Sequence, residues 1–188
     1  MYRKGDGKNS SELHLFRQAA DKLLNAEKEF PNHVFKQKFR YFCFEEFHWV
    51  LSDDSWHMLS QLAAASGDEY IVMGGIEEWS DTWVKLPVDM SSETYLSVLT
   101  KGSDQNEDMI TLASRVVWMS PSQKWVIYGS RTFEICVIGF NDDALKESLK
   151  SWQPLNDIVL GWISVIFYNQ TIPPDFQEIF QRHYGEKT

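Results

Sequence analysis

The strongest hydrophobic pattern lies in the second half of the chain, where two runs of apolar, β-branched and aromatic residues flank a short polar break. The runs Trp125–Tyr128 and Phe133–Phe140 favour strands, and the Gly-Ser-Arg-Thr break between them favours a turn, so the pattern predicts a β-hairpin. The second run is apolar on both alternating faces, with Glu134 as its only charge. Because such a strand needs cover on both faces, we expect the hairpin at the centre of a sheet, with Ile135 and Val137 buried.

Apolar residues at helical spacing, together with capping residues and prolines, predict helices elsewhere. The predicted helices cover approximately residues 10–29, 52–66, 91–99, 109–118 and 143–149, and two more begin near 154 and 173. Strand-like runs are predicted over approximately 36–45, 69–76 and 83–88. Two assignments stay open, because residues 34–50 also fit a helix and residues 116–119 also fit a strand.

These elements predict a single α+β domain that spans residues 1–188. Its sheet is expected to be mostly antiparallel, with a central hairpin and with helices packed on it. Residues 1–9 are polar and rich in Gly and Lys, which predicts a flexible tail.

The longest apolar run, Ile158–Tyr168, is interrupted only by Gly161 and Ser164. A transmembrane helix needs about 20 apolar residues, so this shorter run predicts a buried element of the core. The first residues of the chain are polar and lack the apolar segment of a signal peptide. We therefore expect a cytoplasmic protein with no membrane association.

The charge and the aromatic content add information about partners. The formal net charge of −9 argues against nucleic acid, whose phosphates recruit Lys and Arg, and against anionic membrane surfaces. A basic protein partner is compatible with this charge, and so is solubility alone. The chain has eight Trp and twelve Phe, most of which we expect in the core and a few at an interface.

Two cysteines, Cys43 and Cys136, lie in apolar strand-like runs. A disulfide framework needs more cysteines and a secreted protein. Both residues are therefore predicted to be reduced members of the core.

The sequence offers little catalytic chemistry. None of its five histidines is paired at the spacing of a zinc-protease helix or lies beside a Cys pair. No Walker loop, dinucleotide fingerprint or Gly-x-Ser-x-Gly motif is present. The stretch 45–57 is rich in carboxylates and histidine, which helix capping and the helix dipole explain. We predict no catalytic residues, no metal and no cofactor.

Three stretches resemble small immunity proteins of bacterial polymorphic-toxin and contact-dependent inhibition systems. They are the helix that ends near Gly67 before an Asp-Glu strand start, the hairpin sequence Lys-Trp-Val-Ile-Tyr-Gly-Ser-Arg, and the closing helix that begins Pro-Pro-Asp-Phe and ends His-Tyr-Gly. The resemblance covers approximately residues 52–185. It implies a small cytosolic, acidic protein that binds a toxin domain and occludes its active site, but it implies no particular binding residues.

The acidic link that follows Ile76 is the predicted partner contact. It places Trp79 between carboxylates, and an aromatic anchor inside a charged rim is typical of interface hot spots. The candidate contact residues are Glu77, Glu78, Trp79, Asp81, Trp83 and Arg131. Two alternatives stay open: Trp79 folds back onto the sheet, and Arg131 forms a turn-stabilising pair with Glu134.

Taken at face value, the sequence favours a binding protein whose partner is a cognate, basic toxin domain, rather than an enzyme. The alternative is a small cytosolic hydrolase with a cleft of carboxylates and histidine, which spacing along the chain cannot reveal.

Overall fold

The computed structural model describes residues 9–76, 83–100 and 114–185, with backbone alone for 9–13, and this part of the chain contains one six-stranded antiparallel sheet. The strands are β1 (Tyr41–Glu46), β2 (Tyr70–Gly75), β3 (Trp83–Pro87), β4 (Arg115–Met119), β5 (Trp125–Ser130) and β6 (Ile135–Phe140). Their order across the sheet is β1-β6-β5-β4-β2-β3, so β1 and β3 are the edge strands.

Helices cover both faces of this sheet. The α-helices are α1 (Asn9–Leu23), α2 (Phe47–Val50), α3 (Trp56–Ser66), α4 (Ser92–Thr100), α5 (Asp157–Ser164) and α6 (Pro174–Tyr184). Short 3-10 helices cover Asp53–Ser55, Asp143–Leu149 and Tyr168–Gln170. The predicted α+β fold class is confirmed.

The central position of the hairpin is also confirmed, since β6 pairs with β1 and β5, and β5 pairs with β4. Ile135 and Val137 are fully buried in one core layer, and Cys136 and Ile138 are fully buried in the other. Both faces of β6 are therefore covered, as its uninterrupted apolar sequence predicts.

The turn of the hairpin lies over residues 131–134, two positions later than predicted. Gly129 and Ser130 pair with β6 as strand residues, opposite Cys136 and Ile135. Glu134 adopts a left-handed conformation with φ 57°, which closes the turn before β6 begins. The small residues Gly129 and Ser130, which favour a turn in the sequence, are therefore part of strand β5 instead.

The two core layers contain different elements. Helices α3 and α4 pack on one face, around fully buried Tyr95 and Trp118. Helices α1, α5 and α6 pack on the opposite face, around fully buried Phe44 and Phe180.

Helix α1 ends at Leu23, although helical spacing predicts a helix to about residue 29. Leu24 leaves the helix and forms an antiparallel bridge with Phe35. Next to this bridge, the N–H of Asn25 donates to the C=O of Val34 at 2.8 Å. These bonds compete with the next turn of the helix and end it.

The prediction of a helix over 109–118 is wrong for its last part, which is the strand β4; residues 109–113 lie outside the described residues. Val116 and Val117 are buried on opposite faces of the sheet, in different core layers. When a short strand is buried on both faces, its sequence is a run of apolar residues that also fits a buried helix. The backbone pairing with β2 and β5 makes this run a strand.

Smaller differences concern other boundaries. Strand β1 begins at Tyr41 rather than near residue 36, and α5 begins at Asp157 rather than at Pro154. Helix α3 ends where predicted, because Gly67 takes the left-handed conformation (φ 77°) that terminates helices without strain.

The two cysteines do not form a disulfide, as predicted. Cys136 is fully buried. Cys43 is only half-buried, so the prediction of a core position is wrong for Cys43. Its strand β1 lies at the edge of the sheet, where cover is incomplete.

Candidate functional site

A groove of about 580 Å³ opens where the end of β1 and the β5–β6 turn meet helix α5. We call it the α5 groove, and it is lined by Glu46, His48, Trp49, Glu134, Gly161, Trp162, Val165 and Ile166. Its carboxylates come from β1 and the turn, and its aliphatic side chains, Val165 and Ile166, come from the residues that follow α5. Among the described residues, its lining contains no Lys or Arg.

Helix α5 exposes apolar side chains as well as burying them. Val159 and Ile163 are fully buried against the sheet, but Ile158 is 53% exposed and Val165 is 59% exposed. The prediction that the whole apolar run is a core element is therefore wrong, because α5 lies on the outside of its layer with one face towards the sheet. The helix has eight residues, and none of the helices in the described ranges is both long enough and apolar enough to cross a bilayer.

Ile158 and Val165, the residue that follows α5, form one apolar stripe with Gly161 and half-buried Trp162. Ile158, Gly161, Trp162 and Val165 follow the spacing i, i+3, i+4 and i+7, which places them on one face of the helix. A Cβ atom added to Gly161 would meet no atom within 4 Å, so the space above the helix is open. An exposed apolar stripe beside charged groups is typical of an interaction site.

The short helix α2 positions His48 and Trp49 on the groove. Its first residue, Phe47, is fully buried, and the N–H of Phe47 donates to the C=O of Glu134 at 2.9 Å. The Phe47 ring packs against Gly129, where an added Cβ would lie 2.9 Å from two ring carbons. The missing side chain at Gly129 thus lets α2 approach the sheet, and this approach places His48 and Trp49.

Glu134 connects the hairpin turn to α2. Its Oε2 lies 2.8 Å from Nε2 of His48, and both side chains are partly exposed. Its left-handed backbone (φ 57°) costs a residue with a Cβ about 1–2 kcal/mol, which glycine would avoid. Such outliers cluster at functional sites. The backbone conformation here holds a carboxylate on the wall of the groove.

A buried carboxyl group, Glu45, precedes the groove residue Glu46 in β1 and has 8% of its surface exposed. Burial raises the pKa of Glu45, against the opposing effect of the hydrogen bond that the Glu46 N–H donates to Oε1 of Glu45 at 3.0 Å. Opposite Glu45 in the sheet is Cys136. Burial raises the pKa of the Cys136 thiol, and the neighbouring Glu45 adds to this effect.

The α5 groove combines charged, aromatic and aliphatic side chains. Glu134 pairs with the His48 imidazole on the wall of the groove. Burial raises the pKa of the Cys136 thiol, two residues after Glu134, which makes this thiol a poor nucleophile. In the described part of the chain, no three His, Cys, Asp or Glu residues come together as a metal site. Half-buried Trp49 and Trp162, with aliphatic side chains and carboxylates around them, are typical of a protein contact.

Of the residues predicted to contact a partner, four lie outside the described residues: Glu77, Glu78, Trp79 and Asp81. Trp83 follows them directly and is buried, with 5% of its surface exposed. Its ring fills the space where a Cβ of Gly74 would lie. The prediction of a surface contact is therefore wrong for Trp83, which is a core residue of the edge strand β3.

Arg131 lies in the β5–β6 turn, close in sequence to the groove wall but outside its lining. Its guanidinium lies over the Phe47 ring, 5.2 Å from the ring centre, and the backbone N–H of Arg131 donates to the C=O of Ser114 at 2.8 Å. Arg131 thereby holds the turn and α2 together. The carboxylate of Glu134, its predicted turn partner, contacts His48.

Sequence reasoning missed the α5 groove because its parts come from three distant stretches, 46–49, 134 and 161–166. One local signal was present. The run that contains α5 is apolar all round the helix yet too short for a membrane, and such a helix is either buried or covered by a partner.

Comparisons of the sequence with protein-family models and with curated proteins, and of the fold with solved structures, give no significant match. The geometry of the α5 groove and the charge of the chain are therefore the basis of the functional proposal.

Proposed function

We propose that this protein binds and neutralises a basic toxin domain in the cytoplasm, and that the α5 groove is its contact surface. The observation that carries the proposal is the exposed apolar stripe on α5, next to the carboxylates of Glu46 and Glu134. Occlusion of the toxin's active site by the bound protein explains neutralisation without any chemistry in this chain. The resemblance to immunity proteins supports this class of partner.

Two tryptophans supply the anchors for this contact. Trp49 and Trp162 are half-buried, so packing already restrains both rings before a partner arrives. A restrained side chain loses little conformational entropy on binding, which favours affinity. Tryptophan is also among the commonest hot-spot residues of protein interfaces.

Charge explains why the partner is basic. The chain carries a net charge of −9, and the lining of the α5 groove contributes two carboxylates. Opposite charges across a contact accelerate association and disfavour wrong partners. A nuclease toxin fits this requirement, because a protein that binds phosphates presents Lys and Arg in its substrate groove.

The test uses Gly161→Arg, which places a long, positively charged side chain in the groove. Because an added Cβ at Gly161 meets no atom and Arg is a good helix former, the variant should fold. The matched control is Ala64→Arg, on the exposed side of α3, which packs on the opposite face of the sheet. Both variants add one positive charge and a similar volume.

The measurement has two parts: survival of cells that express the toxin domain encoded next to this gene, and the dissociation constant of the purified pair. We expect the wild type and Ala64→Arg to protect cells and bind, and Gly161→Arg to bind at least about tenfold more weakly, as expected when a hot-spot contact is lost. Equal affinity of all three proteins would contradict the groove as the contact. The absence of any complex with that domain would contradict the toxin proposal itself. A homodimer that Gly161→Arg dissociates would show that the groove binds a second copy instead.

A further inference from the structure

A second cavity, of about 220 Å³, lies at the outer edge of β1 and shares no lining residue with the α5 groove. Leu149 lines it on one face of the sheet, and Tyr184 at the end of α6 lines it on the other. Pro154 and Leu155, which follow the bridge residue Gln153, also line it. The cavity is thus a slot along the edge of the sheet, between the two core layers.

The floor of this slot is a part of the outer edge of β1 that has no backbone partner among the described residues. Gln153 forms a two-way backbone pair with Phe44 on the outer edge of β1, with N···O distances of 2.7 and 2.9 Å. Because outward-facing residues alternate along a strand, Phe42 also directs its N–H and C=O away from β6. Among the described residues, Phe42 has no backbone partner on this edge. Pro154 turns the chain away after one pair, and the slot remains beside Phe42.

Two cations stand at the mouth of the slot. Lys146 lies over the Tyr41 ring with its Nζ 3.8 Å from the ring centre, and the guanidinium of Arg40 lies 4.8 Å from the same centre. Asp143 holds this arrangement, since it accepts a hydrogen bond from the Tyr41 hydroxyl at 2.7 Å and pairs with Lys146 at 2.8 Å. The hydrogen bond to Asp143 raises the pKa of Lys146, so the ammonium stays charged. The three ionic groups have a net charge of +1 in a chain of net charge −9.

We propose that this slot binds the C-terminal residue of a polypeptide, with its backbone paired to Phe42, its apolar side chain in the cavity and its carboxylate at Arg40 and Lys146. Main-chain pairing at a sheet edge, a side-chain pocket and capture of a terminal carboxylate are known modes of peptide recognition. Here the three features occur together within a few residues of β1.

The dimensions of the slot favour a chain end over an internal segment. Gln153 already occupies the edge at Phe44, so a bound chain can pair only at Phe42. A cavity of about 220 Å³ is also smaller than the usual 300–1,000 Å³ of ligand pockets. A single apolar residue therefore suits the slot, and positive charge at the mouth favours a terminal carboxylate.

The half-buried thiol of Cys43 lines the slot and provides a direct probe of occupancy. The experiment measures the rate at which a thiol reagent modifies Cys43 in the folded protein at increasing concentrations of the peptide N-acetyl-Ala-Leu, which has a free terminal carboxylate. Two comparison peptides separate the sources of the carboxylate: N-acetyl-Ala-Leu-amide, which has none, and N-acetyl-Asp-Leu-amide, which has one on a side chain. Fully buried Cys136 reports unfolding, because it reacts only when the protein opens.

We expect saturable protection of Cys43 by the free acid and little protection by either amide. Lys146→Gln and Arg40→Gln should each raise the concentration needed for protection about tenfold, the usual loss of a hydrogen bond to a charged group. Lys150→Gln should not, because Lys150 pairs with Glu147 outside the slot. Equal protection by the simple amide, or no protection by the free acid, would overturn the proposal. Equal protection by the Asp peptide would show that an internal carboxylate is the ligand and would overturn the assignment to a chain end.

Discussion

The substitution Gly129→Ala tests how the sheet positions the groove. An added Cβ would lie 2.8 Å from Sγ of Cys136 and 2.9 Å from ring carbons of Phe47, whereas non-bonded carbon atoms prefer about 3.5–4.0 Å. Both neighbours are fully buried, so neither has free space to move into. Overpacking of this kind costs about 1–3 kcal/mol, and we expect the free energy of unfolding to fall by that amount.

Urea unfolding followed by tryptophan fluorescence measures the effect. The midpoint should fall while the slope against urea stays constant, because the surface exposed on unfolding is unchanged. Since Phe47 begins the helix that carries His48 and Trp49, the variant should also bind the partner more weakly. A loss of stability without any change in binding would show that α2 does not shape the contact.

A matched control is Gly161→Ala, the same substitution at a position with open space. Glycine inside a helix is less stable than alanine by about 0.5–1 kcal/mol, so this variant should be more stable than the wild type by about that amount. The packing explanation would be refuted if Gly129→Ala were as stable as the wild type, or if both substitutions had the same sign.

Three further predictions concern stability and reactivity. Ile135→Ala should lower the free energy of unfolding by about 2–5 kcal/mol, because it removes a fully buried aliphatic side chain from the central strand; a loss below about 1 kcal/mol in the urea experiment would contradict this. Burial raises the pKa of Glu45 in the folded state above its ordinary value of 4.5, so the free energy of unfolding should fall as the pH rises from 4.5 through the raised pKa. Glu45→Gln should remove this fall in unfolding curves recorded across that pH range, and it should be more stable than the wild type at neutral pH. In the native protein Cys43 should react with a thiol reagent before Cys136, and rapid modification of both would contradict the burial of Cys136.

The sequence predicted the core of this fold well because its strongest signals coincide with burial. The run that forms β6 is apolar on both faces, and the structure buries it on both faces. Gly67 likewise ends α3 through a backbone conformation that depends on one residue alone. The predicted helix and strand boundaries are wrong where contacts with another part of the chain determine the structure. Leu24, for example, leaves the predicted helix because it forms a bridge with Phe35.

The site was less predictable for a related reason. Glycine at position 129 signals a turn locally, but its role is to admit the Phe47 ring, which comes from a distant part of the chain. Trp83 was a candidate contact residue next to the acidic link, and its burial depends on the packing of its ring against Gly74. Local patterns report propensity, whereas exposure depends on which elements meet in space.

Methyl NMR of the complex tests most directly whether the α5 groove is the partner contact. Isoleucine methyl signals report both candidate surfaces, since Ile158 lies on the exposed stripe of α5, Ile166 lines the groove, and Ile76 immediately precedes the acidic link 77–81. Fully buried Ile127 serves as the internal reference. When a catalytically inactive toxin domain is added, we expect the signals of Ile158 and Ile166 to shift while those of Ile76 and Ile127 stay in place. A shift of Ile76 with no change at Ile158 and Ile166 would contradict the α5 groove and place the contact at the acidic link.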